Sequence, residues 1–158
     1  MKLVTYSRES RISCGILATD NIIDIPANWP CPNPPRSLKQ ILQRGSECLA
    51  KLAKLADSAD ILISADSVKL LAPITRPGKV LALAGNFSQH IEEAGLSLGL
   101  SGSPRNTTVP RPFIMPPTVI TGPNRQINWP VYSNEIDYEI ELAVIIGKNA
   151  KCVKPDTV

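Results

Sequence analysis

The sequence predicts an α+β chain rich in strand. Three observations carry that expectation: short alternating apolar runs before residue 30, one amphipathic helix opening at Ser37, and a proline-punctuated second half ending in a long apolar run. A small N-terminal α/β lobe is expected over residues 1–72, followed by a β-rich domain over residues 73–158.

Taken in order, MKLVTY, SCGILAT and NIIDIP read as three strands separated by polar clusters suited to turns. WPCPNPPR follows, with four prolines within residues 30–35. That density removes backbone donors and forbids both helix interior and central strand, so the segment is a loop. Ser37 and Gln40 then have the spacing of a capping box, and Leu38, Ile41, Leu42, Leu49, Leu52 and Ala56 return to one helix face. Gly45 is expected to break this helix in two. ILISA and VKLLAP read as further strands, and Pro73 and Pro77 punctuate the chain before KVLALAG. Residues 104–130 hold seven of the fifteen prolines, which leaves room only for short extended pieces, loops and edge strands. Residues 136–146 carry the strongest strand pattern, closed by Gly147.

Composition narrows the function classes. With 17 basic against 14 acidic residues and a net charge of +3, scattered along the chain, the charge argues for neither a nucleic acid nor a membrane surface as partner. No apolar run is long enough to cross a bilayer as a helix. Cys14, Cys31, Cys48 and Cys152 show no CxxC spacing, and MKLVTYSRES lacks the apolar centre of a signal peptide. A reducing cytoplasm is the expected compartment.

Two constellations carry potential chemistry. On a strand, Glu139 and Glu141 in IDYEIELAVIIGK point to one face with Asp137, while Ile140, Leu142, Val144 and Ile146 occupy the other. Ala143 and Ile145 continue the acidic face as apolar, so the glutamates stand where a core begins. Crowded carboxylates there need a proton, a basic partner or a divalent cation. Mg²⁺ or Mn²⁺, which take oxygen ligands, would account for the pair. The plainer alternative is the wet face of an edge strand. In VLALAGNFSQHIEEAG, an apolar run ends at the turn pair Gly85-Asn86 and is followed by His90, the only histidine, with Glu93 three residues on. On a helix these two meet, and the carboxylate then orients the imidazole as a general base. The alternative is an exposed lid histidine with solvated neighbours.

GNFSQHIEE, then RPFIMPPTVITGPNRQINWP, then IDYEIELAVIIGKNAKCV, in this order, resemble the fumarylacetoacetate hydrolase family. KLV, GIL, IIDIP, the helix and LLAPITRPGKVLALAG look like that family's N-terminal lobe, so the resemblance covers essentially the whole chain. It implies a β-roll catalytic domain, present here in its first part. It also implies a divalent metal, Mg²⁺ or Mn²⁺ with Ca²⁺ as a further candidate, held by Glu139 and Glu141. His90 and Glu93 become a base dyad on a lid. The implied substrates are small 2-oxo or 1,3-dicarbonyl acids, cleaved by water at a carbon–carbon bond, decarboxylated, hydrated or isomerised, with a homodimer as the full-length form. Fumarylacetoacetase, acylpyruvase, oxaloacetate decarboxylase and hydratase or isomerase are the activity types implied. The sequence departs from the pattern at Met115, where members commonly carry lysine, at Phe87, where tyrosine is frequent, and in the long polar stretch 95–109. The family's further acidic metal ligand is expected beyond residue 158. A catalytically incomplete fragment, or a non-catalytic binding module of the same family, is the alternative reading.

Overall fold

The computed structural model describes residues 1–87 and 110–157. Two compact units divide the chain: Met1–Ile74 with Thr121–Val158, and Thr75–Ile120. The architecture is mixed α+β with antiparallel strand pairing throughout.

The first unit is built on five strands, β1 (Lys2–Arg8), β2 (Arg11–Ala18), β3 (Asn21–Asp24), β4 (Leu62–Ser64) and β5 (Lys69–Leu71), arranged β4-β3-β2-β1-β5. β1 and β2 form a hairpin in which Arg8 faces Arg11, leaving Glu9 and Ser10 as a two-residue turn. Both take positive φ, 49° and 64°, the backbone that lets a tight turn follow the twist of the strands. β3 is shorter than the alternation of NIIDIP predicts, because Asp24 ends it as a helix cap. The Asp24 Oδ1 accepts the Ala27 N–H at 2.9 Å and starts α1 (Ile25–Asn28), with Pro26 in the first turn where no donor is needed. Asn28 then ties the end of α1 to the chain before β4: its amide donates to the Asp24 and Ile61 carbonyls, and its Oδ1 accepts the Ile61 N–H at 3.0 Å.

α2 (Leu38–Ser58) opens at Ser37, whose hydroxyl accepts the Gln40 N–H at 3.3 Å. The Gln40 side chain reaches back one residue further than a capping box requires and accepts the Arg36 N–H at 2.7 Å. Gly45 breaks the helix with φ 70° and ψ −155°, a backbone that only glycine adopts readily. The buried stripe is Leu38, Ile41, Cys48, Leu52 and Leu55. Leu49, expected on that stripe, is exposed, and Leu42 and Ala56 form its half-buried shoulder. The reason is phase: spacings of three and four from Leu38 run through Ile41, Gly45, Cys48, Leu52 and Leu55, and Leu49 lies one position outside.

This stripe packs on Cys14, Ile16, Ile23 and Ile25 to form the core. Burying each such aliphatic side chain is worth about 1.5–3 kcal/mol. Tyr6 and Ile22 are fully buried around Gly15, on the opposite face of the sheet from Cys14 and Ile16. The Tyr6 hydroxyl donates to Asp24 Oδ2, so the carboxylate that caps α1 also satisfies the buried phenol.

The second unit contains the hairpin of β6 (Val80–Leu83) and β7 (Pro112–Met115), in register from Val80 opposite Met115 to Leu83 opposite Pro112. After it, Gly122 returns to the first unit and lies against the backbone of β5, where a Cβ would stand 3.1 Å from the Leu70 oxygen.

Residues 136–146 form neither helix nor strand, which corrects the expectation of a strong strand there. Ile140, Leu142, Val144 and Ile146 are exposed, at 90%, 82%, 76% and 78%. Alternation states which side chains would share a face; it does not create the neighbouring backbone that makes a strand, and no strand ladder among the described residues includes this segment.

Candidate metal and base residues

The second constellation begins in sequence at the end of β6. The β6–β7 ladder continues one step past β6, where the Ala84 N–H donates to the Arg111 carbonyl at 3.0 Å. Gly85 follows at φ 58°, supplying the left-handed residue that turns the chain away from the ladder. Asn86 and Phe87 come next, with Phe87 about half exposed. His90 and Glu93 lie outside the described residues. At the other end of the hairpin Met115 is half-buried opposite Val80, so this strand position carries a thioether in place of a charge.

The acidic constellation follows a compact local turn. The Trp129 indole N–H donates to the Ser133 carbonyl at 2.7 Å, the Ser133 N–H to the Pro130 carbonyl, and the Glu135 N–H to the Ser133 hydroxyl at 3.2 Å. Asp137 uses its Oδ1 locally, accepting the Tyr138 N–H at 2.8 Å. Glu139 and Glu141 are exposed, where the sequence pattern places them at the lip of a core. As a donor set, two carboxylates one residue apart fit a hard divalent ion, since Mg²⁺ is commonly held by one or two carboxylates with water completing its shell. Among the described residues no group of three His, Cys, Asp or Glu side chains gathers to hold a metal, so Asp137 is not brought in as a third ligand.

Among the described residues, the titratable groups with a perturbed pKa lie elsewhere, in the first unit's core. Burial pushes the Cys14 thiol up to about 12, with Asp24 and Cys48 adding to the effect. Cys48 is raised by burial, and Tyr6 by burial and its hydrogen bond to Asp24. Buried thiols held protonated are poor nucleophiles, which makes these groups structural. The sequence reading missed the Tyr6–Asp24 pair; the available signal was the aspartate two residues before a proline, a helix-start pattern. A shallow cleft of about 260 Å³ beside Lys51, Lys54 and Asn28 offers little further chemistry, because the Asn28 amide and the Ser58 hydroxyl are spent on internal carbonyls.

Residues 79–158, half of the chain, match the family model of the fumarylacetoacetate hydrolase C-terminal domain. The chain belongs to the fumarylacetoacetate hydrolase family. Among curated relatives, it is 31% identical over 160 residues to a mitochondrial oxaloacetate tautomerase of Xenopus laevis, covering 99% of this chain and 47% of that protein. It is 36% identical over 124 residues to a mitochondrial oxaloacetate tautomerase of Rattus norvegicus, covering 78% and 37%. A fumarylacetoacetate hydrolase domain-containing protein 2 homolog of Dictyostelium discoideum is 34% identical over 158 residues, covering 97% and 48%. The chain thus spans about half or less of the length of the relatives it matches.

These names correct the expected compartment. The frog and rat relatives are mitochondrial proteins, so the comparison points to mitochondria rather than to the cytoplasm. Four free cysteines without paired spacing separate reducing from oxidising compartments, but not one reducing compartment from another.

Proposed function

We propose that this chain carries the first part of a β-roll catalytic domain that acts, with a divalent ion, on a small 2-oxo or 1,3-dicarbonyl acid, with the lobes dividing at residues 72 and 73. One observation carries the reading: the family match over residues 79–158 spans His90, Glu93, Glu139 and Glu141 together. The names of the frog and rat relatives favour keto–enol tautomerisation of oxaloacetate as the reaction in this proposal, an isomerisation within the substrate class that the motifs imply.

In this reading Glu139 and Glu141 hold the ion through their carboxylates. When bound, Mg²⁺ or Mn²⁺ supplies a Lewis acid that polarises the oxo group and favours the enolate. His90 takes a proton from C3 of the oxo acid as the C2–C3 double bond forms, and a proton is returned at the C2 oxygen. Glu93 accepts the second ring N–H of His90, fixing its tautomer and raising its basicity. The full-length form is a homodimer in this proposal.

A second reading, a catalytically incomplete piece or a non-catalytic module, is favoured by one feature: Glu139 and Glu141 stand exposed, outside the strand ladders of the described residues. Calorimetric titration of Mn²⁺ and Mg²⁺ into the chain, beside Glu139→Gln and Glu141→Gln, tests the metal assignment. Heat from the unmodified chain that falls sharply in both variants supports it, and equal heat from all three removes it. Following oxaloacetate enolisation by ultraviolet absorbance in the whole protein then separates enzyme from module.

A further inference from the structure

Residues 136–146 carry the alternation of a strand outside every ladder of the described residues. In extended chain Tyr138, Ile140, Leu142, Val144 and Ile146 fall on one face, and Tyr138, at 85%, is as open to solvent as the other four. A contiguous row of exposed apolar side chains marks a surface that another polypeptide covers.

The segment is complementary to itself. Directly opposed residues of an antiparallel pair share a face, so two copies related by a two-fold axis meet about a single residue. An axis at Glu141 sets that carboxylate against its own copy, and an axis at Ile140 sets Glu139 against Glu141; like charges directly opposite are destabilising. From Ala143 onward the axis takes Tyr138 out of the apolar pairing. At Leu142 alone both demands are met: Leu142 faces Leu142, Ile140 faces Val144 and Tyr138 faces Ile146, while Glu141 faces Ala143 and Glu139 faces Ile145. Each such apolar side chain removes about 60–120 Å² from water, so five from each copy cover roughly 600–1,200 Å². With the paired backbone added, this reaches the low end of specific interfaces, about 1,200 Å².

We infer that residues 138–146 bind the same residues of a second copy as an antiparallel strand pair about a two-fold axis at Leu142. The oxo-acid reading does not require this surface, and either can fail without the other.

The test uses the 158-residue chain with Cys31→Ser and Cys152→Ser as background. Sedimentation across a concentration series should show monomer passing to dimer, and Leu142→Lys, which opposes two ammonium groups at the axis, should weaken the dimer at least about tenfold. Leu142 is exposed, so the thermal melt of that variant at low concentration should match the background. Register is read by cysteine pairing: diamide, a two-electron oxidant that takes up both thiol protons, should join Leu142→Cys chains into a disulfide dimer. Val144→Cys chains should stay unjoined, because that residue lies four positions from its copy, about 13 Å along the strand, beyond the roughly 7 Å Cα separation that a disulfide spans. A chain that stays monomeric leaves this segment for some other polypeptide and overturns the inference. So do assembly that grows past two copies, a dimer indifferent to Leu142→Lys, or equal cross-linking at positions 142 and 144.

Discussion

Among the described glycines, Gly15 is the one at which an added Cβ meets the closest neighbours. It lies in β2 opposite Asp24, and a Cβ added there would overlap Ile22 Cγ2, stand 2.7 Å from the Ile23 carbonyl oxygen and touch Tyr6 Cε1 at 3.4 Å. The Ile22 side chain and Tyr6 are fully buried, and the Ile23 oxygen belongs to backbone held in the sheet, so none of the three retreats without disturbing the core. Overpacking of this kind costs about 1–3 kcal/mol. Replacing glycine in a strand returns about 0.5–1 kcal/mol of backbone entropy. The expected net loss for Gly15→Ala is about 1–2 kcal/mol, a fall in Tm of about 2–8 °C for a chain of this size. Gly78→Ala is the control: nothing lies within 4 Å of its added Cβ, and it should gain about 0.4–1 kcal/mol through the unfolded chain. Urea and thermal melts followed by circular dichroism measure both. A Gly15→Ala protein as stable as wild type would refute the packing argument, as would equal losses at the two glycines.

Alkaline stability should report the buried protons. Cys14 keeps its proton in the fold up to about 12 against an ordinary value of 9.0, so the unfolded chain deprotonates first and stability, full below pH 9.0, declines as pH rises toward 12. The slope is at most about 1.4 kcal/mol per pH unit for one group. Tyr6, also raised, adds to the same arm at higher pH. Urea melts from neutral pH upward should show a shallower alkaline decline for Cys14→Ala than for wild type, and parallel curves would contradict the assignment. At the proposed site, His90→Ala in the whole protein should lower turnover by about 10²–10⁴-fold and leave Mn²⁺ affinity near wild type. Joint loss of turnover and metal affinity would mean that His90 acts as a ligand rather than as a base.

Much of the first unit was legible because its signals are local. The runs beginning at Met1, Ser13, Asn21, Ile61 and Val68 all contain strands, since apolar residues alternating between turn signals mark a half-buried strand whether its partner is the next run, as for β1 and β2, or lies far along the chain, as for β5. The Ser37 cap and the Gly45 break follow from side-chain and backbone chemistry confined to one turn. The buried face of α2 was less legible: Leu49 and Cys48 are both apolar neighbours, and the phase that runs from Leu38 through Cys48 is fixed once this face packs against Cys14 and Ile16. The candidate site was read only as residue types in order: His90, Glu93, Glu139 and Glu141 were named from spacing and family resemblance, and their roles stand as a proposal.

By itself the sequence determined the local grammar of this protein: where the β1–β2 hairpin turns, where α2 starts and breaks, and which family its ordered motifs join. Tertiary structure alone decided which side of α2 is buried, that Asp24 serves both a helix end and a buried phenol, and that residues 136–146 lack a ladder among the described residues. The division has a physical cause. Caps, turns and breaks are satisfied by atoms within a few residues, whereas a buried face or a strand exists only when distant backbone and side chains arrive to complete its hydrogen bonds and exclude water.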